Sequence, residues 1–199
     1  MGGLAAVILA YFIGGIPFGF LLVKLTTGKD VRAAGSGNIG ATNVLRTTGR
    51  AVAVATLLLD IAKGYAAVWI AASLTNDDVN YMSAAALAVM AGHGYPVFLK
   101  FKGGKAVASF IGAFLYLTPL PLIAVLLVFV VIVAATRHIS AGSVAAAAIF
   151  PFGVWLIEHP PLSVFAASLI AAIFIVVRHR TNLQRIRSDQ ENVFAWNRK

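Results

Sequence analysis

The chain has 199 residues, 60% hydrophobic and 12% charged, with 16 Lys and Arg against 7 Asp and Glu for a net charge of +9. Soluble domains carry about 25% charged residues, so this composition excludes an ordinary soluble domain and places the chain in a bilayer. The lack of any Cys excludes a disulfide framework, a thiolate nucleophile and a thiolate metal site, and leaves the redox compartment open.

The first apolar run, residues 4–23, follows a start (MGGLAAVILAYF) without the positive region of a signal peptide. Ala6 also breaks the myristoylation pattern after Gly2. The run is therefore expected to be a retained helix. The segment after it changes character. Residues 33–50, AAGSGNIGATNVLRTTGR, hold four glycines, two asparagines, one serine, three threonines and two arginines, with no carboxylate. Gly35 to Gly40 spell G-x-G-x-x-G, and Asp60 follows twenty residues later. A dinucleotide fingerprint needs a preceding strand and a βαβ unit, whereas this one lies between two apolar runs. Asp60 and Lys63, three residues apart in the second run, read instead as an intramembrane ion pair.

The physics behind the motif still holds. Successive glycines let backbone N–H groups face an anion, and a following helix adds its positive end. Ser36, Asn38, Thr42 and Asn43 add neutral donors, and Arg46 a planar fork suited to phosphate. The plain alternative is a flexible connector whose arginines only obey topology. Arg50, at a helix entrance, takes that reading, and Ser36 and Arg46 the anion-binding one.

The second run, 51–74, leads through Asn76-Asp77-Asp78 to the third, 81–99. Next comes GHGYPVFLKFKGGK, residues 92–105. A Walker A reading fails there, since Leu99 stands where its first Gly belongs and Ala106 replaces Ser or Thr. What remains is a glycine pair before Lys105, a point charge for phosphate at a helix mouth. Lys100 and Lys102 are expected to snorkel at the interface, and His93 to pack between helices.

The fourth run, 106–117, is short and ends at Thr118-Pro119-Leu120-Pro121, so it either re-enters or fuses with the fifth, 122–136. A fused helix would be about 46 Å long at about 1.5 Å per residue, too long for a hydrocarbon core of about 30 Å. The sixth run, 141–157, has Ser140 and Ser143 on one face of its start; Ser143 either lines a site or bonds back to its own helix. The seventh, 162–177, continues into Arg178-His179-Arg180-Thr181-Asn182, where His179 and Asn182 would share a face of a continuing helix. Arg180, Arg185 and Arg187 read as a stop-transfer cluster.

Charge sets the number of crossings. With seven, and the N-terminus outside, the inner segments hold 15 of the 16 Lys and Arg, Arg198 and Lys199 of the tail included. The outer connections hold none, and the sixteenth is Lys63. Merging two runs would put the basic tail outside, against the positive-inside rule. The expected fold is thus an all-α integral membrane protein, residues 1–199 forming one domain of seven transmembrane helices, N-terminus out and C-terminus cytoplasmic. Topology accounts for the basicity, so no nucleic-acid partner is expected. The polar residues gather on the inner side, where Asp30, Asp189 and Glu191 are the only acids. That inventory suits a phosphate and not a divalent metal held by protein carboxylates.

Three stretches, GSGNIGATNVLR, GHGYPVFLKFKGGKAVA and VRHRTNLQRI, resemble the signature motifs of the bacterial acyl-phosphate:glycerol-3-phosphate acyltransferases of the PlsY type. The resemblance covers essentially the whole chain in length, span count and motif order. It implies a multi-pass enzyme of the bacterial inner membrane, its site facing the cytoplasm, with glycerol 3-phosphate, acyl phosphate and membrane lipids as partners and no cofactor or metal. The reaction implied is acyl transfer from acyl phosphate to the sn-1 hydroxyl of glycerol 3-phosphate, giving lysophosphatidic acid and phosphate. Carried onto matching positions, it puts Ser36, Arg46 and Lys105 around phosphate groups, lets Gly40 and Thr42 shape the loop, and has Ser143, His179 and Asn182 line the same pocket.

The residues agree on one point of chemistry. No His is followed five positions later by an acid, so the His-x4-Asp dyad of soluble acyltransferases is missing, and no Ser-His-Asp set is evident. An acyl phosphate is an activated mixed anhydride and needs less help; a substrate phosphate oxygen or His179 then takes the hydroxyl proton. A transporter of an anionic solute is the rival from another class. It would hold its site near the midplane on broken helices, where only Gly14-Gly15-Ile16-Pro17 and Asp60/Lys63 stand out. A non-catalytic scaffold would not need three donor-rich inner segments.

Overall fold

The computed structural model describes residues 2–194; Met1 and residues 195–199, and with them Arg198 and Lys199 of the basic tail, lie outside the described residues. Every regular element among the described residues is helical. The chain divides into two compact units, one up to Tyr116 and one from Leu117 onward.

In the first unit the initial apolar run forms two helices, α1 (Gly2–Gly15) and α2 (Phe18–Thr27). Pro17 lacks an N–H and interrupts the helical ladder between them. The Ile16 carbonyl at this break accepts a hydrogen bond from Lys63 Nζ (2.8 Å). After α3 (Ala41–Thr47) come α4 (Arg50–Thr75), α5 (Val79–Gly94) and α6 (Val107–Leu117). Asn76, in the left-handed region at φ 52°, ends α4. The Asp78 carboxylate accepts the Asn80 N–H (2.8 Å) and caps α5. The third run was expected to continue to residue 99; α5 stops at Gly94 because Tyr95 precedes Pro96 and is pushed out of helical geometry. A short 3-10 turn, Val97–Leu99, follows.

Glycines set the approach of these helices. A Cβ on Gly14 would strike the Val89 carbonyl, one on Gly92 the Tyr11 carbonyl, and one on Gly3 the Tyr81 ring, so α1 and α5 run in parallel with backbones in contact. Gly2 lies against Leu74 and Gly19 against Thr56, which makes α4 antiparallel to them. Gly64 and Gly112 bring α4 and α6 together, and the Tyr65 and Tyr116 rings meet edge to face at 5.2 Å. The expected ion pair is present: Asp60 Oδ1 lies 2.8 Å from Lys63 Nζ, and both side chains are buried.

The second unit holds α7 (Pro119–Thr136), α8 (Ile139–Glu158), α9 (Leu162–Arg178) and α10 (Arg180–Arg187). Thr118 separates α6 from α7, so the fourth and fifth runs are not fused. α7 starts three residues before the expected 122 because prolines are tolerated in a first turn, whose N–H groups have no helical acceptor. Gly142 packs on Phe129 and Val133, and Gly153 on Pro121 and Val125, an antiparallel pairing of α7 with α8.

The expectation of one continuing helix through His179 and Asn182 is corrected here. The chain bends by 53° between α9 and α10, so His179 sits at the corner and Asn182 in the first turn beyond it. The apolar sequence ends at Val177, and the polar α10 gains nothing by following the apolar axis of α9.

Among the described residues, five helical segments are long and apolar enough to cross a bilayer, and α9 with α10 makes a sixth if the bent pair is one span. α6, with 11 residues, is only about 16 Å long.

Candidate active site

Within the first unit, the segment between α2 and α4 is pinned from below by its own apolar residues. Val31, Ile39 and Val44 are buried with Val23, Ala53 and Leu99. Leu99 belongs to the 92–105 segment, so both glycine-bearing segments share one apolar cluster. That juxtaposition brings the Arg46 segment beside the Lys105 segment.

Asn43 ties the first segment together. Its side chain, 1% exposed, accepts the Ser36 N–H at Oδ1 (2.8 Å), and its amide donates to the carbonyls of Val31 (3.1 Å), Ala34 (3.1 Å) and Asn38 (2.8 Å). The sequence leads one to expect Asn43 among the donors offered to an anion; its side chain faces inward instead. Asn38 Oδ1 accepts the Gly40 N–H (2.8 Å), which fixes this side chain through its oxygen and not through its donor Nδ2. Gly35 and Gly37 stand at φ 61° and 69°, where an L side chain is strained. Ser36 between them is exposed. Gly40 precedes the first turn of α3, and Thr42 and Arg46, one turn apart and both half-buried, project from one face of that helix.

The acid nearest in sequence is already engaged. Arg32 Nη2 meets Asp30 Oδ2 at 2.7 Å, and hydrogen bonds from the Arg32 side chain and N–H hold the Asp30 carboxyl below the usual aspartate value.

In the second segment the Gly104 N–H donates to the His93 carbonyl (3.0 Å) and the Gly103 N–H to the Gly94 carbonyl (3.2 Å). This bends the chain back over the end of α5. Lys105 is half-buried, and Ala106, at φ 60°, turns the chain into α6. Lys100 and Lys102 are exposed.

The second unit has its own polar knot. Glu191, 9% exposed, accepts from Ser140 Oγ (2.9 Å) and Asn182 Nδ2 (2.7 Å) at Oε1 and from Arg185 Nε (2.7 Å) at Oε2. Burial pushes this carboxyl up, but the hydrogen bonds from Asn182, Arg185 and Ser140 outweigh it and hold it below the usual glutamate value. The Phe194 N–H donates to the Arg137 carbonyl (2.7 Å), docking the stretch from Glu191 to Phe194 on the α7–α8 corner. Ser143 Oγ donates back to the Ile139 carbonyl (2.9 Å), so toward a ligand it would act as an acceptor. His179 is 3% exposed, and its Nδ1 lies 2.7 Å from the Ile175 carbonyl oxygen. A carbonyl can only accept, so Nδ1 carries the proton, and Nε2 is the basic nitrogen of the neutral ring. Glu191 as the hub of this knot was missed, because its partners lie 51, 9 and 6 residues away with no repeating spacing to mark them.

Known proteins resemble this chain along nearly its whole length. A family model described as glycerol-3-phosphate acyltransferase matches residues 4–189. A glycerol-3-phosphate acyltransferase of Geobacter sulfurreducens is 48% identical over 185 residues, covering 93% of this chain and 94% of that protein. Its counterpart from Geotalea daltonii is 47% identical with the same coverage. Among solved structures, PlsY, an integral membrane glycerol 3-phosphate acyltransferase in its glycerol 3-phosphate form, superposes with a TM-score of 0.92 at 34% identity, covering 98% of this chain and 96% of that one. Its lysophosphatidic acid form gives 0.89 at 33% identity, covering 98% and 97%.

Proposed function

The chain belongs to the glycerol-3-phosphate acyltransferase family, a family of membrane enzymes, and from that premise we propose that its acyl donor is acyl phosphate and its acceptor the sn-1 hydroxyl of glycerol 3-phosphate. The observation that carries this reading is the shared apolar cluster of Ile39, Val44 and Leu99, which sets the Arg46 and Lys105 segments side by side. Two cations there, with Asp30 engaged by Arg32, make a setting for phosphate. The known PlsY forms, with glycerol 3-phosphate and lysophosphatidic acid, agree in chemistry with such a substrate and product.

In the proposed reaction the glycerol hydroxyl oxygen attacks the acyl carbonyl carbon, the bond from that carbon to the phosphate oxygen breaks, and inorganic phosphate leaves. Ser36, Arg46 and Lys105 hold phosphate groups, with Lys105 offsetting charge on the leaving one. Gly40 and Thr42 shape the loop that presents them. Ser143, His179 and Asn182 serve the glycerol or the acyl-phosphate head. A substrate phosphate oxygen takes the hydroxyl proton; His179 Nε2 is the one side-chain nitrogen we would set against it. No cofactor or metal has a step. We place the chain in the bacterial inner membrane with seven spans, N-terminus out, the reaction on the cytoplasmic side and α6 as the short span, because that arrangement puts the basic segments inside.

The test is product analysis with the purified protein. Acyl phosphate with glycerol 3-phosphate should yield 1-acyl lysophosphatidic acid and one equivalent of phosphate, and acyl-CoA should not replace the donor. Phosphate release independent of glycerol 3-phosphate, or equal use of acyl-CoA, would reject the reading.

A further inference from the structure

We propose that His93, held by the buried Asp60–Lys63 pair, is a positioning residue that sets the Gly103-Gly104-Lys105 turn and acts on the reaction only through Lys105. The effect on activity rests on the phosphate-binding reading of Lys105; the mechanical claim does not.

Four groups from three helices meet beneath that turn. Asp60 and Lys63 come from α4, His93 from the last turn of α5 and Ser109 from the first turn of α6. Their exposures are 2%, 4%, 3% and 0%. Lys63 Nζ bridges Asp60 Oδ1 (2.8 Å) and the Ile16 carbonyl (2.8 Å) at the break between α1 and α2, and lies over the Phe18 ring. His93 Nδ1 faces Ser109 Oγ at 3.3 Å and Asp60 Oδ1 at 3.6 Å. One edge of the imidazole is thereby anchored to α4 and α6. The opposite edge supports the turn, because a Cβ on Gly104 would collide with His93 Nε2, and one on Gly103 with the His93 carbonyl and the Pro96 ring. The backbone completes the brace through the Gly104 N–H to His93 carbonyl bond (3.0 Å).

The arrangement has a physical rationale. Lysine is a flexible point charge whose position is set by its backbone, and the backbone here is two glycines, the least restrained residues available. A rigid ring packed under those glycines removes the freedom they would otherwise have. A charged pair buried in a membrane protein is costly to maintain and marks a functional element. Here it fixes the ring that carries the turn.

The test uses His93→Asn in the full-length protein. Asparagine keeps a polar amide near the place of Nδ1, facing Asp60 and Ser109, and lacks the far edge under Gly104. His93→Ala serves as the second variant. Amide exchange at Gly103 and Gly104 should rise at least tenfold, while α4 and α5 keep wild-type protection. In the transfer assay His93→Asn should lower kcat/KM, and adding it to Lys105→Ala should cause no further loss. Unchanged exchange at Gly103 and Gly104 in both variants overturns the proposal, and so does a full additive loss in the Lys105→Ala background. If the wild-type protein transfers no acyl group, the functional reading fails, and the exchange measurement alone decides whether His93 sets the turn.

Discussion

Replacing Asn43 with Ala should open the first glycine-rich segment without unfolding the helices around it. The side chain accepts one N–H and spreads its two donor hydrogens over three carbonyls. Ser36 and Ala34 are exposed and Asn38 is half-buried, so water can replace those bonds after truncation. The bond to the Val31 carbonyl is buried, and truncation leaves that carbonyl with the long bond from the Ala34 N–H (3.5 Å). A net hydrogen bond contributes about 1 kcal/mol, and a buried acceptor left poorly met adds part of the about 1–3 kcal/mol that a wholly unmet one costs. The segment should therefore lose about 2–3 kcal/mol against local opening, about a 30- to 150-fold rise in the open population. Hydrogen exchange at the Ser36 amide, which donates directly to Asn43, reports that rise. Asn43→Asp keeps the acceptor for Ser36 but sets a carboxylate against three carbonyl oxygens, and should open the segment further. If Asn43→Ala left exchange across residues 31–40 within twofold of wild type and only raised KM for glycerol 3-phosphate, the side chain would be a ligand donor and this reasoning would be refuted.

Three further outcomes are expected. Glu191 has its folded pKa depressed, so its contribution to stability is present above the ordinary glutamate range and lost as pH falls through the folded value; the protection of the Phe194 amide should fall as pH drops below the ordinary glutamate range, and Glu191→Gln should abolish that step. Asp60→Asn alone strands a buried ammonium and should cost about 3–5 kcal/mol, whereas Asp60→Asn with Lys63→Met removes the pair together and should recover most of it; thermal unfolding in detergent separates the two, and an equal loss in both would contradict the pairing argument. Cysteines at Asp78 and His159 should react with an impermeant thiol reagent on whole cells, and cysteines at Asp30 and Gln190 should not. The reverse pattern would invert the proposed orientation.

Features governed by local sequence were legible before the fold was known. Apolar runs marked the long helices, and the three-residue spacing of Asp60 and Lys63 predicted their ion pair, since i,i+3 positions meet on any helix. Donor-rich segments without acids pointed to phosphate. Features set by tertiary contact were not legible. Nothing in the residues around Asn43 says whether its amide turns toward a ligand or toward Val31, because both uses need the same side chain. The corner at His179 has no Gly or Pro to announce it and follows from the change from an apolar to a polar helix. Glu191 looked like a stray acid in a basic tail until the chain folded back on Ser140 and Asn182. The role of Leu99 in joining the two glycine-bearing segments depends on a contact with Ile39 and Val44 that no spacing encodes.

The most direct test of the central claim, that the first glycine-rich segment grips a substrate phosphate, is kcat/KM for glycerol 3-phosphate in Arg46→Lys and Ser36→Ala protein shown to be folded. Arg46→Lys keeps the charge and loses the bidentate fork. Losing a charge-assisted hydrogen bond costs about 1.5–3 kcal/mol, so the account predicts a fall of about 10- to 150-fold. Ser36→Ala should weaken activity with no loss of stability, Lys105→Ala should exceed the Arg46→Lys effect, and Arg50→Ala should stay near wild type. Full activity in both Arg46→Lys and Ser36→Ala would contradict the claim and reduce the segment to a connector between helices.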